Sequence, residues 1–388
     1  MNYLTRKLKT LSSYIKDLVK RNIDYIFTKP TSALLFMTYR CTSQCKMCTI
    51  WKRSKNYDKK KELTLNEWKK VIDTLNENNV KLIELFGGDS LIRKDVTIPI
   101  IEYIKKKNKE IIVDMPTNCN LLDEKTAISL VKSGLDRLYI SLDGPIEIHD
   151  KIRGNKGTFN RVQKSLEHLV KAKKNLDSET PVIIVNCTIS SSNVHHFEQI
   201  IQSIEKIGAN GIDFEYVGEF KDKNIQSSSV NGIKPTPFYI TLGESNLLNR
   251  EQATVLKKKM KDIRKSKDKY KIFISTSIID SLTINNLMKG TIPNRKCYIS
   301  RNKVTIDPFG NLLGCFHYNN YNFGNIKELP FSSIWKNKKH RCFLKSQKDG
   351  SIQICKNCVS GINRNVTFLQ SIYRNAYFVI KRKGFDEP

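Results

Sequence analysis

From residue 33 to about 220 the chain alternates short apolar runs with longer amphipathic stretches. The runs are Leu34–Met37, Lys81–Phe86, Glu110–Met115, Arg137–Leu142, Val182–Thr188 and Gly211–Tyr216. Their length and their content of Val, Ile, Leu and Phe suit strands buried on both faces. Between them lie Leu65–Leu75, Val96–Lys105, Lys125–Val131, Phe159–Val170 and Val194–Ile207, where apolar residues recur at helical spacing. Strand–helix alternation predicts a parallel sheet with right-handed crossovers. Six such units suit an α/β fold, a partial (β/α)6 TIM-like barrel, with functional residues at the C-terminal ends of the strands.

The pattern changes after residue 220. Residues 221–248 are polar and contain Pro235 and Pro237, as in a connector or substrate loop. Helical periodicity returns at 249–266 and 277–289. Short strands are expected next at Val304–Ile306 and Asn311–Cys315, joined by the turn Asp307-Pro308-Phe309-Gly310. A last amphipathic stretch runs over Val366–Lys381. At the other end, Leu4, Leu8, Leu11, Ile15 and Leu18 mark a basic helix that Pro30 ends. Packing against the main domain is its plainer use, and contact with a membrane surface the sharper one. The boundaries expected are therefore 1–30 (helix), 31–220 (barrel), 221–296 (connector), 297–361 (small C-terminal domain) and 362–388 (helix and tail).

Charge modifies this picture little. The 67 Lys and Arg residues against 38 Asp and Glu give a net charge of +29. The basic residues are spread along the whole chain, and Lys, Asn and Ile are abundant together, as an AT-rich genome produces. A compact basic recognition module, the mark of nucleic-acid binding, is missing. No run approaches the roughly 20 apolar residues of a membrane span, and no apolar core succeeds the basic N-terminus as in a signal peptide. A cytoplasmic location is expected. Ten cysteines in such a protein point to metal rather than to disulfides.

Their spacing sharpens that. Cys41, Cys45 and Cys48 come directly after the first strand as Cys-x3-Cys-x2-Cys. A four-iron cluster takes four thiolates, so three close ligands would leave one iron open to a further molecule. A zinc site completed by a distant ligand, or three core cysteines, are the plainer readings. Cys297, Cys315, Cys355 and Cys358 form a second group, sufficient for one fully ligated four-iron cluster or one structural zinc. Cys119 and Cys187 adjoin strands and read as core or pocket-lining. Cys342 lies in a helical pattern and reads as packed core.

The triplet resembles the cluster-binding motif of the radical S-adenosylmethionine (radical SAM) superfamily, and further resemblances lie beyond it at strand ends. Gly87-Gly88-Asp89-Ser90 resembles that family's Gly-Gly-Glu-Pro, with Asp89 and Ser90 as departures. Thr117-Asn118-Cys119 resembles Thr-Asn-Gly, with Cys119 in place of glycine. Ser141-Leu142-Asp143-Gly144 resembles Ser-Leu-Asp-Gly. The resemblance implies that Cys41, Cys45 and Cys48 hold a [4Fe-4S] cluster. It implies that Gly87, Gly88, Asp89 and Asn118 receive the amino end of S-adenosylmethionine, and that Ser141 and Arg153 hold its carboxylate. Met47 and Val217 would lie beside the adenine. The second group resembles a short SPASM-type domain with an auxiliary [4Fe-4S] cluster on Cys297, Cys315, Cys355 and Cys358. The family resemblance further implies reductive cleavage of S-adenosylmethionine to a 5′-deoxyadenosyl radical that takes a hydrogen atom from substrate. A one-electron reductant such as flavodoxin or ferredoxin is implied as partner.

The substrate is left as a small molecule or a peptide. Only 40 residues precede Cys41, too few for an added leader-binding domain, which leans towards a small molecule or a peptide presented by a separate protein. A lipid-linked or acidic substrate is the weaker idea. The related molybdenum-cofactor GTP cyclase ends in Gly-Gly; this chain ends Gly384-Phe385-Asp386-Glu387-Pro388. Two other classes compete, a two-cluster electron carrier without catalysis and a zinc-stabilised nucleic-acid-binding protein. The glycine and serine motifs at strand ends argue against the first, since a carrier requires no cosubstrate pocket.

Overall fold

The computed structural model describes residues 29–359, apart from 242, 267–268, 293–296 and 298. The helices expected at 1–28 and 366–381 lie outside them. All six expected strands form, as β1 (Ser32–Thr38), β2 (Leu82–Gly87), β3 (Ile112–Thr117), β4 (Arg137–Ser141), β5 (Val182–Ile189) and β6 (Gly211–Tyr216). Each pairs in parallel with the next.

Side chains on these strands point alternately outward and inward. On β1, Ala33, Leu35 and Met37 join the large core beneath the helices. Leu34 and Phe36 point inward to a smaller cluster with Tyr39, Ile50, Phe238, Ile299 and Phe316. The crossover helices are α1 (Leu65–Glu77), α2 (Lys94–Lys107), α3 (Glu124–Lys132), α4 (Ile146–Arg153), α5 (Thr158–Asn175) and α6 (Phe197–Ile207). Helix α1 shows how each is specified. Thr64 and Glu67 cap it reciprocally, and Trp68, Val71, Ile72 and Leu75 form its buried face.

The sheet departs from expectation at both margins. A three-residue strand, β7 (Phe273–Ser275), adds in parallel to β6. On the other side β8 (Lys303–Ile306) adds in parallel to β1, pairing Ser32 with Lys303 and Leu35 with Ile306. The sheet thus has eight parallel strands in the order β8-β1-β2-β3-β4-β5-β6-β7, with β7 and β8 unpaired to each other. Antiparallel β9 (Asn311–Leu313) and β10 (Asn322–Asn325) extend it beyond β8. The C-terminal segment expected to stand apart from residue 297 therefore shares one sheet with the barrel. Its strands are too short, and their partner too distant in sequence, to be placed by periodicity. Helix α7 (Arg250–Lys265) agrees with the pattern. The helix expected over 277–289 is broken into α8 (Ser277–Ser281) and α9 (Ile284–Lys289). Leu282 is extended there, and Thr283 starts the second piece with a capping box. Helix α10 (Lys338–Asp349) packs near β10.

Candidate active site

Parallel pairing brings the C-terminal ends of β1 to β6 to one rim, and the motif residues lie on or just beyond it. The cysteine loop leaves β1 after Thr38 and is fixed from two sides. Gln44 N donates to Arg153 O (3.1 Å) and Lys46 N to Ile152 O (3.0 Å), tying it to the end of α4. Gly88 N donates to Thr38 O (3.0 Å) and Asp89 N to Arg40 O (2.9 Å), tying it to the end of β2.

This second tie explains the glycine pair. A Cβ at Gly88 would lie 2.0 Å from Arg40 O and 2.9 Å from Cys41 Cβ, and one at Gly87 would lie 2.4 Å from Thr38 O. Gly87 also has φ +151°, which favours glycine. The backbone that crowds these glycines belongs to the cysteine loop, not to the ligand from which the need for glycine was expected to come.

The three thiols form one electrostatic neighbourhood. Burial, then the Cys45 thiol, pushes Cys41 up to about 12, and the same two causes push Cys48 to about 12. Burial also raises Cys45, opposed by the Arg153 guanidinium. Arg153 sits between two groups. Its Nε is 2.7 Å from Asp143 Oδ2, and its Nη1 faces Cys45 Sγ at 3.9 Å. Asp143 is fully buried and accepts from Thr188 N through Oδ1 (3.0 Å). Arg153, expected to clamp a carboxylate, is thus already engaged with an internal carboxylate and a cluster cysteine.

Asn118 Nδ2 donates to Thr42 Oγ1 (3.1 Å) and faces Cys41 Sγ (3.6 Å). Asn120 and Asn155, which no sequence motif marks, complete this network. Asn120 Nδ2 donates to Thr42 Oγ1 and Ser43 Oγ (3.1 and 3.0 Å), and Asn155 Nδ2 to Thr42 O (2.6 Å). Only their position just beyond strand and helix ends could have drawn attention to them. Cys119 has φ +65° and is buried. That left-handed backbone is where the resembling motif has glycine, and a cysteine adopts it at a cost of about 1 kcal/mol.

Asp89 is buried at the rim. Its Oδ1 accepts from Leu91 N (3.3 Å) and Thr117 Oγ1 (3.2 Å). Its Oδ2 has no donor in hydrogen-bond geometry, although the Thr42 hydroxyl lies near enough to favour the charged form. Burial raises its carboxyl to about 6. Ser141 ends β4, paired in register with Asn186. Val217 is buried just after β6, its N–H donating to Ile189 O (3.0 Å). Met47 lines a cavity of about 330 Å³ inside the barrel, together with Phe86, Asn186, Glu215, Tyr239 and Phe316.

The second cysteine group also converges. Burial raises the Cys355 thiol well above its usual value, and the Cys297, Cys358 and Cys315 thiols raise it further. Cys358 N donates to Cys355 O (3.4 Å). Cys187 and Cys119 are core residues. Cys342 is only half-buried, its Sγ donating to Asn231 Oδ1 (2.9 Å). Among the described residues, no three His, Cys, Asp or Glu side chains gather around one point as ligands of a single ion do. Three thiols on a buried loop and four in a second group fit polynuclear clusters by their donor chemistry. The unpartnered Asp89 Oδ2 fits the ammonium of an amino-acid moiety.

Comparison with known proteins agrees. Residues 35–204 match the family model of the radical SAM superfamily, and residues 297–359 match SPASM, an iron–sulfur cluster-binding domain. Fe-coproporphyrin III synthase of Methanosarcina barkeri is 25% identical over 313 residues, 77% of this chain and 72% of that protein. PqqA peptide cyclase of Bradyrhizobium diazoefficiens is 29% identical over 197 residues, covering 50% of this chain and 48% of its own length. The crystal structure of Streptococcus suis SuiB bound to precursor peptide SuiA shares the fold. It superposes with a TM-score of 0.61 at 14% identity, over 94% of this chain and 78% of that one.

Proposed function

Because the chain belongs to the radical SAM superfamily and carries a C-terminal SPASM iron–sulfur domain, we propose that it removes a hydrogen atom from a small molecule or peptide held in the barrel lumen, assisted by an auxiliary cluster. It is an enzyme of that family, and its cofactors are S-adenosylmethionine, the [4Fe-4S] cluster that binds it and the auxiliary cluster. Once loaded and reduced, the first cluster supplies the electron that cleaves S-adenosylmethionine to methionine and a 5′-deoxyadenosyl radical.

The chain's own residues have these roles. Cys41, Cys45 and Cys48 hold the cluster, and Arg153, anchored by Asp143, orients Cys45 and lends it positive charge. Asp89 Oδ2, with Asn118 and the Gly87–Gly88 backbone, receives the ammonium of the methionine moiety. Ser141 faces its carboxylate, and Met47 and Val217 flank the adenine. Cys297, Cys315, Cys355 and Cys358 hold the auxiliary cluster. The barrel wall and the aromatic residues Phe238, Tyr239 and Phe316 keep water from the reacting centre. A one-electron carrier of the flavodoxin or ferredoxin kind is the expected reductant.

The observation that carries the reading is the rim itself. Three buried thiols, an acceptor without a donor and an internal cavity reached by Met47 lie at the ends of one parallel sheet. An electron carrier has no use for such a cavity. Among the described residues, no helix is long and apolar enough to cross a membrane. The test is anaerobic reconstitution with iron and sulfide, reduction, and an assay for 5′-deoxyadenosine. Cys45→Ala should abolish its formation, and Cys355→Ala should spare it. Zinc in place of iron, or an intact reduced cluster that leaves S-adenosylmethionine uncleaved, overturns the proposal.

A further inference from the structure

The lumen of this strongly basic chain is acidic. Four carboxylates line the cavity, Glu84 on β2, Asp114 on β3, and Asp213 and Glu215 on β6. Two cations answer them. Lys303 Nζ lies 2.8 Å from Glu84 Oε2, and Arg137 forks onto Asp114 at 2.6 and 2.7 Å. The wall therefore carries a formal excess of two negative charges. Burial holds the Tyr139 hydroxyl up; Arg137 opposes this, and Asp114, Asp213 and Glu84 add to it, so these carboxylates share one field.

The register places Asp213 and Glu215 at the deep and the upper level of the cavity. Asn186 pairs with Asp213, and Thr188 with Glu215; Asn186 pairs on its other side with Ser141. Asn186 Oδ1 also lines the cavity and accepts no hydrogen bond. The acceptors thus adjoin the residue assigned above to the S-adenosylmethionine carboxylate. The rest of the wall is apolar or aromatic, with Met47, Phe86, Tyr239, Phe316 and Val359. Rings beside carboxylates suit a cation on an apolar stem.

We propose that the substrate enters the lumen through an amine, carried as an ammonium on a short apolar or aromatic stem and held by Glu215 and Asp213 against Asn186 and Thr188. This rests on the proposed function and narrows its substrate class. It separates the chain from a carboxylate-bearing tetrapyrrole of the kind named in one of its relatives, because added carboxylates would face a wall of like charge. A free amine and a lysine side chain of a peptide present the same group.

The test is calorimetric titration of the reconstituted protein, saturated with S-adenosylmethionine, with matched probes. 2-Phenylethylamine is compared with 3-phenylpropanoate, and acetyl-Gly-Lys-Gly-amide with acetyl-Gly-Glu-Gly-amide. At least one amine should bind ten times or more tightly than its carboxylate partner; the pair that discriminates identifies the source. Glu215→Gln and Asp213→Asn, confirmed as folded by circular dichroism, should each weaken that amine at least fivefold and leave the carboxylate unchanged. Equal or tighter binding of the carboxylates or of iron coproporphyrin III, failure of both amines at millimolar concentration, or unchanged amine affinity in both variants overturns the inference. Assay of 5′-deoxyadenosine in the same preparation separates the two proposals. Cleavage without amine preference overturns this inference alone, and amine preference without cleavage overturns the proposed function alone.

Discussion

Gly88 allows a sharp test of how the cysteine loop is held. In Gly88→Ala the new methyl would lie 2.0 Å from Arg40 O and 2.9 Å from Cys41 Cβ. Ordinary contact at 3.4 Å needs the Arg40 carbonyl to retreat by about 1.4 Å. That movement breaks the Asp89 N to Arg40 O bond (2.9 Å) and carries Cys41 with it. Overpacking and the lost bond together cost about 3 kcal/mol. A cluster ligand displaced by an ångström no longer meets its iron, so the first site should fail to load while the four-cysteine site loads normally. Iron per reconstituted chain should fall from roughly eight to roughly four, the content of one four-iron cluster. Electron paramagnetic resonance after reduction should lose the signal that responds to S-adenosylmethionine. Gly232→Ala serves as the control, because its φ of +77° imposes strain while no atom lies within 4 Å of the added Cβ. A Gly88→Ala protein with full iron and an unaltered spectrum would show that the loop is not held in this way.

Three further outcomes rest on the same geometry. Glu62 is buried and bonds Arg40 and Arg93, each at 2.8 Å, so Glu62→Gln should lose about 2–4 kcal/mol in chemical denaturation; a loss under 1 kcal/mol would contradict this. Arg153→Gln removes a cation facing Cys45 Sγ, and redox titration should find the first cluster's potential lowered by tens of millivolts, with the auxiliary cluster unmoved. His340 is buried, and burial lowers it to about 4 from an ordinary 6.5. The unfolded chain therefore takes up that proton first as pH falls. Stability should drop between about pH 6.5 and pH 4, by on the order of 3 kcal/mol for this group. His340→Asn should flatten that part of the profile, and an unchanged slope would count against it.

The six central strands were legible because each is a continuous apolar run buried on both faces, and the helices between them because of their amphipathic period. The strands β7 and β8 were not. Three or four residues carry no period, and β8 owes its place to β1, some 270 residues earlier. The break at Leu282 was hidden because apolar residues continue on both sides of it. In the site, the cysteine spacing and the strand-end motifs were readable, since local chemistry demands those residues in that order. Asn120 and Asn155 were not, because asparagine after a strand or helix usually marks a turn.

Local sequence alone dictated the cysteine groups, the parallel barrel and the rim on which the motif residues fall. Those depend on residue type and on periods of two and 3.6, which short stretches of chain already carry. Other features arose only when distant segments packed together. Gly88 is glycine because the cysteine loop presses against it, and Arg153 is held by Asp143 beside Cys45. A chain of net charge +29 encloses an acidic lumen because inward-pointing residues of separate strands meet there. Net charge sums over the whole surface, whereas a ligand responds to the few groups that folding gathers around it.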